Sequence, residues 1–198
     1  LGGDINVDGV VDLKGTSRTT IFNYADRTIT TTGNGANGAI TIGALNSAYG
    51  ITMNAGSGTI TLGLVGNTTP LDTLTLTGTG SNILAGGITT TGNINLGTNR
   101  TTSVSTDSTI GSSTGNLNIG AITIEAGKTL TLGLSGVGNI TVASITGPSS
   151  GAEANVNFSN SGTVTVTGAI TTKIGTLWLN KVSGAVSFEG SLQVTQFK

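Results

Sequence analysis

The sequence predicts an all-β chain, a parallel and right-handed β-helix solenoid of about 8–9 coils at about 23 residues per coil. Three observations lead to it. Segments of the form x-apolar-x-apolar begin at Ile5, Ile29, Ile51, Leu74, Ile94, Leu117, Ile140, Val164 and Val186, at spacings of 24, 22, 23, 20, 23, 23, 24 and 22. Two residues further on stand Val7, Thr31, Met53, Leu76, Leu96, Ile119, Val142, Val166 and Phe188, apolar in every coil but one. Between these columns runs a polar row, Asn6, Thr30, Thr52, Thr75, Asn95, Asn118, Thr141, Thr165 and Ser187. Strand alternation sends both apolar columns inward and the polar row outward.

The first strand of each coil is entered at a corner. Gly92, Gly115, Gly138, Gly162 and Gly184 stand two residues before the first apolar position in five successive repeats, where a sharp turn favours the positive φ that glycine accepts. Second and third strands follow most clearly from Leu117, as LNIG, AITIEAG and KTLTLGL, and from Val164, as VTVTG, AITTKIG and TLWLNKVSG. In less regular coils they are expected at Val104 and Ile110 after Ile94, and at Ile83 and Ile88 after Leu74. A unit of three such short strands cannot bury its apolar face alone, but stacking on its neighbours does so. An antiparallel sandwich also uses many short strands, yet it does not keep one apolar phase across nine consecutive repeats. The crossover rule for parallel strands supplies the handedness. Coils at about 4.8 Å each make a rod roughly 40 Å long.

Residues 1–198 are read as one β-solenoid domain, with 1–28 as the N-terminal end coil and 173–198 as the C-terminal end coil or junction. Phe22 and Tyr24 lie in the first coil and Trp178, Phe188 and Phe197 in the last two, leaving Tyr49 and Phe158 between them. Lys173, Lys181, Glu189 and Lys198 concentrate charge near the C-terminus. A solenoid end is a pairing template unless it is capped, so these residues mark caps or subunit junctions.

Composition excludes several classes of function. Lys+Arg number 8 against Asp+Glu 9, and the cations are scattered singly, so no basic stripe exists to neutralise phosphates and no nucleic-acid partner is expected. His and Cys are absent, which removes the commonest general base, the thiol nucleophile and the usual zinc ligands. No disulfide framework is possible. No run of 18 apolar residues occurs, so no membrane insertion is expected. The chain opens at Leu1 without Met or a signal-peptide pattern and reads as a processed product or an excised piece.

The stretch GITMNAGSGTITLGLVGNTTPLDTLTLTG at residues 50–78 resembles repeats of the large bacterial surface proteins related to filamentous haemagglutinin and autotransporter passengers, and AITIEAGKTLTLGLSGVGNITV at 121–142 has the same character. The resemblance covers nearly the whole chain as a style. It implies secretion across the outer membrane, a β-helical shaft, and a role in adhesion, aggregation or matrix building. The chain departs from that family in having neither a secretion domain at one end nor a membrane β-barrel at the other, so one segment or a free-standing subunit is expected.

Candidate chemistry is sparse. DINVDGVVDLKG fits a calcium loop at Asp4, Asn6, Asp8, Gly9 and Asp12, but Gly15 stands where a bidentate Glu is needed, and Ile5 and Val7 already belong to the inward columns. Only an isolated Gly2-Gly3-Asp4 represents the nonapeptide calcium roll. Paired carboxylates for polysaccharide cleavage are not suggested. Asp107 and Glu153 share the thirteenth offset of their coils, with Leu130 in the coil between, and Glu125 and Glu189 fall at other offsets. The outward row Asp4, Thr28, Gly50, Thr73, Asn93, Asn116, Asn139, Thr163 and Ala185 is too mixed for an ice-ordering Thr surface and reads as hydrogen-bonded ladders holding coils in register. Sequons at Asn67, Asn99, Asn139 and Asn157 are expected by chance in so Asn- and Thr-rich a chain. A sugar-stacking groove finds only Tyr49 and Phe158 in the middle coils, with no neighbour in phase.

The sequence therefore points to a non-enzymatic structural solenoid without catalytic, metal or cofactor-binding residues. It is expected outside the cell or at the surface of a bacterium, associated with the outer membrane. Most simply it is a shaft segment of an adhesin, and alternatively a subunit stacking end to end into an extracellular filament or layer; a polysaccharide-acting enzyme is a distant third. Partners are other protein segments or subunits at the ends, and glycans or proteins of a host or neighbouring cell. Each coil touches only its neighbours, so Leu96→Asp near the middle is expected to split the rod into two protease-resistant parts. A limited-proteolysis pattern identical to that of the wild type would refute this stacking.

Overall fold

The computed structural model describes residues 2–15, 19–133, 135–136 and 138–198. Leu134, the last residue of the third strand expected from KTLTLGL, lies outside them, as do residues 16–18 of the first coil. The chain is all-β and winds through about 9 turns of ~22 residues, with 53% of it in strands and 2% helical. All strand pairings among the described residues are parallel and join one coil to the next. The solenoid predicted from the repeat is the structure. No helix of the described residues is long and apolar enough to cross a membrane.

Three faces run the length of the rod. The first carries the repeat on which the prediction rests, and its register follows Ile51, Leu74, Ile94, Leu117, Ile140, Val164 and Val186 from coil to coil. One step differs by two residues, because Ile29 pairs with Met53 and Arg27 pairs with Ile51. That slip resolves the one polar break in the column. Thr31 is buried as the last residue of the strand Arg27–Thr31, where its hydroxyl donates to the Gly38 carbonyl. The slip also brings Asp26 to the Gly50 N–H, at 2.7 Å.

The second face stacks Val11, Ile40, Ile60, Asn82, Thr102, Ile122, Ile145, Ile170 and Leu192. The third stacks Thr20, Leu45, Val65, Ile88, Ile110, Leu132, Phe158 and Leu179. Val104, Ile110 and Ile88 are inward as expected. Ile83 lies in the strand Ser81–Leu84 but in the outward phase, and Asn82 and Leu84 take the inward positions. Some expected strands are fused. LNIG and AITI form one strand, Leu117–Ile124, which rounds the corner at Gly120 without a loop, and AITTKIG and TLWLN form Ile170–Asn180. In the latter, Thr172 and Lys173 sit at φ 60° and 48° in a bulge between Ile170 and Ile174.

The corner glycines are present for a different reason from the one expected. Gly92, Gly115 and Gly184 do not have positive φ; that conformation falls at Gly56, Gly78, Gly97 and Gly127, among others. What the corners need is space. A Cβ on Gly115 would stand inside 3.0 Å of the Gly92 backbone, and one on Gly184 would stand 2.8 Å from the Gly162 carbonyl carbon. Successive corners approach so closely that no side chain fits between them. Gly115→Val is therefore expected to cost about 2–3 kcal/mol, whereas Gly3→Ala, where nothing lies within 4 Å, stays within about 0.5 kcal/mol. Urea midpoints of the two variants check this.

Candidate functional site: ladders, inner arginine and end coils

On the outer surface, Asp and Asn carboxyl or carboxamide oxygens accept backbone N–H groups of the next coil. Asp4 accepts Thr28 N–H at 2.9 Å, Asn93 accepts Asn116 N–H and Asn116 accepts Asn139 N–H, both at 2.8 Å, and Asn139 accepts Thr163 N–H at 2.9 Å. Asp107 to Thr129 and Asn155 to Thr176 repeat the arrangement on the third face. The mixed outward row is thus a coil-spanning ladder. Each oxygen satisfies a donor at a corner where the strand hydrogen bonds have run out.

The same bonds decide the sequence candidates. The three aspartates of the DINVDGVVDLKG segment do not converge: Asp4 accepts Thr28 N–H, Asp8 the Thr32 hydroxyl at 3.3 Å, and Asp12 the Lys14 N–H at 2.9 Å. No group of three His, Cys, Asp or Glu that could hold a metal occurs among the described residues. Asp107 and Glu153 share a sequence offset but not a row, because Thr129 pairs with Asn155. Glu153 instead accepts the Thr195 hydroxyl at 2.7 Å, two coils on. Phe158 is fully buried and offers no platform for a sugar, while Trp178 faces outward with the Lys198 ammonium 5.8 Å from its ring centre. Asn67, Asn99 and Asn139 are exposed, whereas the Asn157 Oδ1 is buried without a hydrogen-bond partner.

Sequence reasoning missed Arg100. This arginine is 1% exposed inside the rod. Its Nε donates to Asn82 Oδ1 at 2.6 Å, one terminal nitrogen to the Thr77 carbonyl at 3.0 Å, and the other to the Gly58 and Ser81 carbonyls at 2.9 and 2.7 Å. Asn82 in turn donates to the Leu96 carbonyl and the Thr102 hydroxyl. Burial lowers the guanidinium pKa from its ordinary value, and carbonyl dipoles take the place of a counter-ion. One side chain thereby ties three coils together. Gly97 and Gly78 make the room, since a Cβ on either would press against the Arg100 side chain, at 2.8 and 3.1 Å. The signal in the sequence was Asn82 and Thr102 standing in a column otherwise filled by Ile60 and Ile122, visible only once the register is known.

At the C-terminal end Val186 and Leu192 are 36% and 39% exposed and Phe197 is 52% exposed, although all three continue columns that are buried in the coil before. Phe188 sits between Phe158 and Phe197, with ring centres 6.5 and 6.2 Å away. At the N-terminal end Val7, Val10 and Ile21 are exposed, while Phe22 turns inward and Tyr24 outward at φ 79°.

These features define a parallel β-solenoid in which the outward Asp and Asn ladder and the inner Arg100 cluster join successive coils. No family model, curated protein or solved structure matches the chain, so the likeness to haemagglutinin and autotransporter repeats stands on its residues alone.

Replacing Arg100 by Met keeps its volume but removes the donors to the buried Asn82 oxygen and to the Gly58, Thr77 and Ser81 carbonyls. The expected cost is about 3 kcal/mol or more, at roughly 1–3 kcal/mol for each buried group left unpaired. Hydrogen exchange should show the loss of protection centred on residues 58–102. Uniform protection with an unchanged urea midpoint would refute the clip.

Proposed function

We propose that the chain is a non-catalytic structural element exposed outside the cell, a β-helical shaft segment of a bacterial surface adhesin. The observation that carries this reading is the investment of the outward Asp and Asn side chains, and of the buried Arg100, in bonds between coils. Asx bonds join successive coils from Asn93 through Asn116 and Asn139 to Thr163, and the buried cation Arg100 is consumed by backbone carbonyls and the Asn82 side chain. A rod built this way supplies length and stiffness, and its thin coils leave outward Thr, Asn and Ser rows in contact with solvent. The resemblance of residues 50–78 to secreted surface repeats supports an extracellular location associated with the outer membrane. Binding of a host or neighbouring cell belongs, on this reading, to partners or segments that the shaft carries.

Antibody labelling of intact producing cells tests the assignment. Surface labelling that is lost on mild protease treatment is the expected result, together with rods about 40 Å long in negative-stain images of the isolated chain. Labelling only after lysis, or release of reducing ends from an acidic polysaccharide by the pure chain, would overturn it.

A further inference from the structure

We infer that Asn34–Gly35 is a self-modification site, where the chain converts asparagine to isoaspartate or aspartate without an enzyme, while a second Asn–Gly pair three residues on is kept unreactive by its packing. The inference stands apart from the shaft reading. Asn–Gly occurs twice in the sequence, at 34–35 and 37–38, within the stretch GNGANG. Glycine after asparagine leaves the following backbone nitrogen unshielded by a Cβ and free to rotate, so both pairs have the intrinsic chemistry. The fold is what separates them.

The two pairs share one turn of 3-10 helix, Gly35–Gly38. Asn34 precedes it with extended backbone, φ −98° and ψ 142°, and its side chain makes no capping hydrogen bond. Asn34 and Gly35 are both exposed. Gly35 has φ 57°, and nothing lies within 4 Å of the point where its Cβ would stand, so the peptide plane between them can turn without meeting a neighbour. One bond restrains it: the Gly35 N–H donates to the Ser57 hydroxyl at 2.9 Å, and Ser57 is itself exposed. Asn37 is exposed too, but Gly38 is buried and its carbonyl accepts the Thr31 hydroxyl. A Cβ on Gly38 would stand 3.2 Å from the Ala55 oxygen, and one on Gly58 in the next coil would stand 2.5 Å from the Gly38 carbonyl carbon. Turning the 37–38 peptide therefore breaks the corner on which the next coil rests.

The reaction needs only water and a base. The Gly35 nitrogen loses its proton and attacks the Asn34 side-chain carbonyl carbon; the new C–N bond closes a five-membered imide, and the side-chain amide leaves as ammonia with that proton. Water then opens the ring at one of its two carbonyls. Opening at the main-chain carbonyl gives isoaspartate, with the chain continuing through the side-chain carbon, and opening at the other gives aspartate. The imide has no Gly35 N–H to offer Ser57, and isoaspartate, longer by one main-chain carbon, moves that N–H away from the hydroxyl. Both products carry a carboxylate. Residues 28–71 contain no charged side chain, so the reaction places the first charge on this part of the rod.

Peptide mapping by mass spectrometry of the folded chain held at mildly alkaline pH tests the proposal. Asn34 is expected to convert at least about tenfold faster than Asn37, because the buried pair reacts only after a costlier local opening. In urea, where both pairs are unpacked, the two rates are expected to fall within about threefold of each other. Ser57→Ala, at an exposed position, is expected to keep the wild-type circular dichroism spectrum and to speed conversion of Asn34 about two- to tenfold, the worth of one hydrogen bond. Equal rates at the two sites of the folded chain would overturn the assignment, as would an Asn34 that stays intact when folded yet converts in urea. A preference for Asn34 that persists unchanged in urea would overturn its structural cause, and a Ser57→Ala rate no faster than the wild type would overturn the restraint assigned to Ser57.

Discussion

No coil of this chain can hold itself together, so the parallel backbone ladder between successive coils is the interaction on which all the rest depends. Each coil spends about 22 residues on three short strands, and their apolar side chains meet in a core only a few residues across. Burial becomes complete only when the coil above and the coil below are in register, because the inward column on each face is continuous along the axis. Backbone hydrogen bonds set the rise, and the core follows from it.

Once the coil spacing is set, the corners become the crowded places. Strand residues have partners on both sides, but at the turns backbone N–H groups face outward and successive bends nearly touch. The chain meets the first demand with Asp and Asn oxygens that reach one coil further on, and the second with glycine columns such as Gly92, Gly115 and Gly138. The two devices share a corner. Asn93, Asn116 and Asn139 directly follow those three glycines, so the residue that lets the bends approach stands beside the one that ties them together.

Arg100 is the exception that shows how strongly register constrains this interior. An arginine in an apolar core with carbonyls for its only partners is costly to desolvate, and it survives because four acceptors converge where the turn at Gly97 meets the corner after Thr77. Asn82 and Thr102 displace apolar residues from the second face at the same level, so the polar cluster is closed among its own members. The middle of the rod is thus held by directional bonds as well as burial.

The sequence by itself determined the architecture, the period and the inward columns, because a two-residue alternation repeated nine times leaves one way to bury apolar side chains on a chain with few large ones. It also marked the outward Asn row as a ladder. Register was decided only in three dimensions. The two-residue slip between Ile29 and Met53, the outward turn of Ile83 and the inward place of Asn82 depend on corner lengths that run from five to eleven residues, and no local pattern encodes how such corners nest. The same limit hid the Arg100 clip and assigned Asp107 and Glu153 to different rows. Glycine was legible at the corners, but its purpose was not: turn chemistry is a property of one residue's φ, whereas the clearance between Gly92 and Gly115 exists only after two coils have stacked.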